Sequence, residues 1–290
     1  MSSIAKEIRS QPSCWVRAAA LASEVVDALP APGERALAVG CGTSLHMAQA
    51  YAARREADGL GETDAEPASE APTRRRYDRV VAISRSGTTT EVVRFLEACP
   101  DPSSALVGVE DTPVAASATS VIALPFADER SVVQTRFATS TLALLRAQLG
   151  HDLGPTIADA ERALTDPLPV DPSAFDHFVF LGRGWTIGLA HEAALKIRET
   201  SASFSESYPA MEYRHGPISL AGSRSLVWAL GDPDEELLED VRKTDATVLS
   251  SDLDPMAELV RIQRVAVALA DAKGLDPDRP RNLARSVVLT

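Results

Sequence analysis

The stretch Ala36-Leu37-Ala38-Val39-Gly40-Cys41-Gly42-Thr43-Ser44 decides the architecture. Four consecutive apolar residues are too few for a helix and end in a glycine turn, after which apolar residues recur at helical spacing from Leu45 to Arg55. That order reads as buried strand, turn and helix. It is repeated where Arg79-Val80-Val81-Ala82-Ile83 meets Ser84-Arg85-Ser86-Gly87-Thr88-Thr89 and enters a helical pattern from Thr90 to Ala98. Ala105-Leu106-Val107-Gly108-Val109 supplies another buried run. Short buried strands alternating with helices predict an α/β fold in which a parallel sheet carries helices on both faces.

Around this motif, a helix is expected from Cys14 to Leu29 and a long amphipathic one from Ser131 to Leu149. Another falls within Asp152 to Pro172, where Pro155, Pro167, Pro169 and Pro172 mark a boundary. Asp58 to Arg76 is acidic, then basic, and reads equally as a linker or as a poor edge strand around Glu66 to Ser69. Beyond the boundary the pattern restarts. Phe178-Val179-Phe180-Leu181 ends in Gly182-Arg183-Gly184-Trp185 and enters a helix from Thr186 to Glu199. Ser225 to Leu230 and Thr247 to Ser250 are further strands, and Met256 to Ala272 is a closing helix. The chain thus reads as an internally duplicated α/β unit, with domains expected at residues 1–155 and 156–290.

The 290 residues, 45% of them apolar and 24% charged, describe an ordinary globular chain with room for one large or two medium domains. The 29 basic against 41 acidic residues leave a net charge of -12. Such a surface repels nucleic acid and anionic lipid, so neither nucleic acid nor membrane is an expected partner. A small phosphorylated metabolite stays allowed, because its site depends on local donors and helix N-termini. Cys14, Cys41 and Cys99 are far apart and show no CxxC spacing, which argues against a disulfide framework or zinc ribbon and fits a reducing cytoplasm. The N-terminus lacks the apolar core of a signal peptide, and a soluble cytoplasmic protein is expected.

Ser84, Ser86, Thr88 and Thr89 surround Gly87 between a strand and a helix. Such a loop binds a phosphate monoester through hydroxyls and helix N–H groups, or simply caps the helix. Gly40-Cys41-Gly42-Thr43-Ser44 lies at the equivalent end of another strand, where open α/β sheets place ligands. Gly182-Arg183-Gly184 lacks the third glycine of a dinucleotide fingerprint, and His191-Glu192 has Leu195 where a zinc helix needs its second histidine. No cofactor and no metal are expected. Glu192, Lys196 and Glu199 share one helical face, either as a solvated salt-bridge row or as a working group. Lys196 is one of four lysines among the 29 basic residues, and a compact amine differs chemically from arginine.

In chain order, Lys6-Glu7-Ile8, Cys41-Gly42-Thr43-Ser44, Ser84-Arg85-Ser86-Gly87, Gly182-Arg183-Gly184, Glu192-Ala193-Ala194-Leu195-Lys196 with Glu199, Tyr213-Arg214-His215-Gly216-Pro217 and Pro280-Arg281-Asn282-Leu283-Ala284 resemble the sugar isomerase (SIS) family. The resemblance is in particular to the isomerase half of glutamine:fructose-6-phosphate amidotransferase. It implies two tandem SIS domains, each three-layered α/β/α and flavodoxin-like, the first with an N-terminal helix and the second with a C-terminal tail that completes the site. It also implies a phosphosugar ligand between the domains and a homodimer. Ser44, Ser84, Arg85, Ser86 and Thr89 match the family's phosphate cradle. Glu199 matches the base that moves a proton between C1 and C2, and His215 matches the ring-opening group, which a neighbouring subunit contributes. Lys196 and Glu192 match the polar residues beside them. Cys41, Gly42, Thr43, Val132, Gln134 and Arg285 match positions around the sugar.

There are three departures. The resemblance begins at residue 4, so a glutaminase domain and amidotransferase activity are not expected. Arg285 stands where the amidotransferase has a Schiff-base lysine, and an always-protonated guanidinium cannot form that adduct. Gln134 replaces a small hydroxyl residue. The expected residual chemistry is ring opening of an amino-sugar 6-phosphate and removal of its C2 proton. The outcome is isomerisation or deamination, dehydration of an N-acetylated substrate, or, without turnover, sensing of a phosphosugar.

Overall fold

The computed structural model describes residues 1–289, beginning with α1 (Ser3–Arg9) and α2 (Gln11–Leu21). Two compact units emerge, each with its own core. Residues 13–153 with the tail at residues 284–289 form the first, and residues 1–12 with 154–283 form the second. The N-terminal end is tied by identifiable bonds. The Asp278 carboxylate accepts from the N–H groups of Ser3 and Ile4, at 2.6 and 2.9 Å, and so caps α1.

In the first unit β1 (Ala36–Gly40), β2 (Thr63–Pro67), β3 (Arg79–Ser84), β4 (Ser103–Val107) and β5 (Ser120–Ala123) run parallel in the order β2-β1-β3-β4-β5. β2 decides between the two readings of residues 58–76 in favour of an edge strand, and it closes at Pro67, which has no N–H to donate. The helices are α3 (Thr43–Ala57), α4 (Thr90–Ala98), α5 (Pro113–Ser117) and α6 (Arg136–Gln148). Leu37, Val39, Val80, Ala82, Ala105 and Val107 pack one sheet face against Val92, Phe95 and Leu96 of α4 and Val114 of α5. α3 lies against β1, β2 and β3 and also packs on α6. Full burial of a side chain such as Phe95 contributes roughly 1.5–3 kcal/mol.

The helix expected from Ser131 begins only at Arg136. The buried Glu129 carboxylate accepts from the N–H groups of Thr135 (2.6 Å) and Arg136 (2.9 Å) and from the Thr135 hydroxyl (2.7 Å), so the preceding loop supplies the cap. Likewise the helix expected over Cys14 to Leu29 ends at Leu21, and a 3₁₀ turn follows at Val26–Ala28.

In the second unit β6 (His177–Gly182), β7 (Phe204–Pro209), β8 (Ser225–Ala229) and β9 (Thr247–Leu249) run parallel in the order β7-β6-β8-β9. Their helices are α7 (Gly154–Thr165), α8 (Thr186–Ser201), α9 (Glu235–Arg242) and α10 (Pro255–Ala272). Val179, Leu181, Val227 and Ala229 pack against Leu237, Leu238 and Val241 of α9, while α8 lies against β6 and β7. The protein is therefore an α/β protein with two parallel sheets flanked by helices. Among the described residues no helix is long and apolar enough to cross a membrane.

The two units solve the strand-to-helix turn in the same way. A Cβ on Gly40 would lie 2.6 Å from the Ser44 carbonyl carbon, and one on Gly182 would lie 2.4 Å from the Thr186 oxygen. Gly42 and Gly184 both hold φ +55. Gly182→Ala is expected to destabilise the protein by about 1–3 kcal/mol through overpacking. Gly222→Ala, which meets nothing within 4 Å, should leave the thermal midpoint nearly unchanged, so paired melting curves check the point.

Candidate active site

In the first sheet the strand order turns at β1 and β3, the crevice position where open α/β sheets bind ligands. Two of the loops marked in the sequence leave these adjacent strands. In the first, Thr43 and Ser44 are buried at the start of α3, Gly42 is exposed, and Cys41 is half-buried. Burial, reinforced by Glu91, pushes the Cys41 thiol up to about 11. Cys41 therefore lines the turn as a neutral thiol.

The second loop, Ser84 to Thr89, opens α4. Its tight shape requires Gly87, since a Cβ there would lie 2.1 Å from the Thr112 hydroxyl, at φ +66. The Ser84 hydroxyl is buried with no hydrogen-bond partner. Ser86 Oγ accepts from the Thr88 N–H at 3.2 Å, and Thr89 is the N-cap residue of α4 without a side-chain cap bond. Hydroxyls and a helix start without a side-chain cap thus meet in one loop, a set of donors suited to an anion.

Arg85 has a different place from the hydroxyls around it. Its buried guanidinium donates to the carbonyls of Ser131 (2.8 Å), Val132 (3.2 Å) and Arg285 (2.7 Å), making it a strut of the loop. Val132 is held through its backbone, and Gln134 carries a buried side-chain oxygen without a hydrogen-bond partner. Arg285 binds Asp128 at 2.5 Å and also donates to the Glu129 carbonyl.

The second unit lacks a counterpart to the hydroxyl loop. After β8 the chain reads Gly231-Asp232-Pro233-Asp234, and the Asp234 carboxylate caps α9 by accepting from the Leu237 N–H at 2.9 Å. Carboxylates at this sheet edge repel an anion, so the duplicated architecture carries the hydroxyl loop once.

What the second unit carries is the α8 row. The Lys196 amine lies 3.2 Å from Glu192 and 2.5 Å from Glu199. Lys196 and Glu192 are each 1% exposed as side chains, whereas Glu199 is 19% exposed. A solvated salt-bridge face is excluded by that burial. Burial alone would lower the Lys196 pKa, but the charges and hydrogen bonds of Glu192 and Glu199 more than offset it and raise it. Glu199 lines an open cleft of about 400 Å³ with Arg198, Ala202, Arg281 and Asn282. The row therefore runs from a sealed carboxylate through an ammonium to a carboxylate at a cleft.

His215 is exposed at the end of a 3₁₀ turn, Ala210–His215, and is not among the residues that line the Glu199 cleft. The turn is held by the buried Tyr213 and by Arg214, which binds Asp240 at 2.9 Å. Sequence reasoning passed over Asp128, Glu129 and Ser286. Only the position of Ser286 beside Arg285 offered a signal.

The most similar curated proteins include glutamine–fructose-6-phosphate aminotransferase (isomerizing) of Sulfurisphaera tokodaii, 27% identical across 88% of this chain and 50% of that protein. The chain spans about half the length of such relatives. Among solved structures, glucosamine-6-phosphate deaminase from Thermotoga maritima superposes with a TM-score of 0.84 at 26% identity, covering 99% of this chain and 100% of that one. The C-terminal domain of glucosamine-fructose-6-phosphate aminotransferase from Francisella tularensis shares the fold, with a TM-score of 0.83 at 22% identity over 97% and 98% of the two chains. No family model matches the chain. Over most of its length the chain resembles the isomerase half of the glutamine–fructose-6-phosphate aminotransferases.

Lys196→Met would leave the fully buried Glu192 without its cation and is expected to cost about 3–5 kcal/mol at pH 7. Because the folded pKa of Lys196 lies above the ordinary 10.5, the stability from its charge is complete below that value and is lost as pH rises through the folded value. Denaturant curves should show a constant wild-type advantage from pH 7 to pH 9 that shrinks at higher pH.

Proposed function

We propose that the protein is an enzyme of amino-sugar phosphates that opens the ring of glucosamine 6-phosphate, removes its C2 proton, and releases fructose 6-phosphate and ammonia. The observation that carries this reading is the buried Glu192–Lys196–Glu199 row, whose last carboxylate faces a cleft. A binding protein has no need of a sealed ammonium held against two carboxylates. The similarity to the deaminase from Thermotoga maritima over the whole of both chains adds support.

In this reading the two units are tandem SIS domains of the flavodoxin-like kind. Ser44, Ser84, Ser86 and Thr89 receive the 6-phosphate, and Arg85 fixes the loop that offers them. His215 moves the proton between the ring oxygen and O1 as the hemiacetal opens, and a second copy of the chain contributes it in a homodimer. Glu199 then takes the C2 proton, acidified by the C1 aldehyde, and returns it to C1. The nitrogen is left as an imine at C2. Water adds to that carbon, ammonia leaves, and the sum is glucosamine 6-phosphate plus water giving fructose 6-phosphate plus ammonia. Lys196, 2.5 Å from Glu199, holds its carboxyl group oriented for both proton transfers.

Glu199→Gln should lower turnover by roughly a hundredfold or more while phosphosugar affinity, read by calorimetry, stays within about twofold. Loss of both together would assign Glu199 to binding. Ser86→Tyr should weaken every hexose 6-phosphate by roughly tenfold or more. A proton NMR time course in D₂O with glucosamine 6-phosphate, N-acetylglucosamine 6-phosphate and fructose 6-phosphate tests the reaction itself. Free ammonia with fructose 6-phosphate supports it. A dehydrated sugar from the acetylated substrate would replace it with an elimination, and binding without any C2 exchange would leave a sensor.

A further inference from the structure

The tail of the first unit is anchored at two points. Upstream, Arg85 donates to the Arg285 carbonyl at 2.7 Å while its other nitrogen holds Ser131 and Val132. Arg285 donates in return to the Glu129 carbonyl and to Asp128, 2.5 Å away. The two guanidinium groups thus cross-brace the tail to residues 128–132. Downstream, the Thr90 N–H at the first turn of α4 donates to the Val287 carbonyl (3.2 Å), and the Leu289 N–H donates to the Thr90 hydroxyl (2.9 Å). Between these anchors the Ser286 hydroxyl lies 3.1 Å from Ser86 Oγ and 2.9 Å from Thr88 Oγ1.

We infer that Ser286 is a phosphate-binding residue, a hydroxyl lent to the Ser84–Thr89 loop by the tail, and that Arg285 is the positioning residue that holds it there. This rests on the reading of that loop as the phosphate site. Three hydroxyls in mutual contact satisfy one another without an anion. Each proton can also rotate toward an incoming phosphate oxygen, because hydroxyl rotors are free to choose among acceptors. Bonds to a charged acceptor are about twice as strong as neutral ones, so the anion wins that choice. The buried, unpartnered Ser84 hydroxyl is a second group in the same loop left waiting for an acceptor.

The brace also accounts for an arginine at position 285. Its planar fork engages the Glu129 carbonyl and the Asp128 carboxylate together, and a single ammonium cannot reproduce that paired geometry. Arg285 acts on the ligand through the tail and does not touch the phosphate.

Calorimetric titration of inorganic phosphate and of glucosamine 6-phosphate into the full chain tests the inference. Ser286→Ala should weaken both by about tenfold with an unchanged melting temperature, and Ser286→Thr, which keeps the hydroxyl, should restore most of the affinity. Arg285→Ala and Arg285→Lys should both lose affinity, and protease should clip the tail faster in each. Equal affinity in Ser286→Ala overturns the inference. So does tighter binding, which would mean that the tail competes with phosphate. If the wild-type chain binds neither probe, the reading of the Ser84–Thr89 loop itself fails, a result distinct from a failure confined to Ser286.

Discussion

The turn from a buried parallel strand into its covering helix is the constraint on which the rest depends. A parallel sheet buried on both faces must return the chain across one face after every strand. At β1 and β6 the helix starts so close to the strand end that only glycine fits at Gly40 and Gly182. That closeness sets the backbone of the following turn, with Gly42 and Gly184 at the same positive φ. Polar residues that follow such turns are delivered to one sheet edge, so the geometry that closes the core also decides where chemistry can occur.

Within a shared architecture the two units have diverged in charge. The loop after β3 offers Ser84, Ser86, Thr88 and Thr89 to an anion, and the corresponding loop after β8 presents Asp232 and Asp234. The second unit instead carries a buried ammonium between two carboxylates on α8. Removing Lys196 and Glu192 from water is costly unless their mutual attraction and hydrogen bonds offset the loss. The short contacts from Lys196 to both carboxylates meet that condition, and they leave Glu199 as the member facing a cleft.

Arginine carries much of the internal scaffolding. Arg85 and Arg285 brace a loop and a tail 200 residues apart in sequence, and buried Arg55 joins Ala31, Gly61 and Thr63. Each uses the several donors of a planar fork to reach more than one backbone carbonyl or side-chain oxygen at once. The scarcity of lysine in the chain makes Lys196 stand out chemically: a point charge suits a gap between two carboxylates on neighbouring helix turns.

Periodicity and glycine placement were enough to read the parallel α/β architecture, its repetition and the two polar turns, because buried strands and helix starts leave local signatures. The shared face of Glu192, Lys196 and Glu199 was equally legible from spacing alone. The edge strand β7 was not, since Phe204-Ser205-Glu206-Ser207-Tyr208-Pro209 is mostly polar and pairs on one side only. Whether the α8 row was solvated or sealed depended on what packs over it, and burial is a property of the whole fold. The cap that Glu129 places on α6, the strut role of Arg85 and the meeting of Ser286 with Ser86 and Thr88 join residues distant in the chain. Sequence determined which groups were available and which strands and helices would carry them. Tertiary structure decided which groups met, because long-range hydrogen bonds follow from packing and leave no periodic trace.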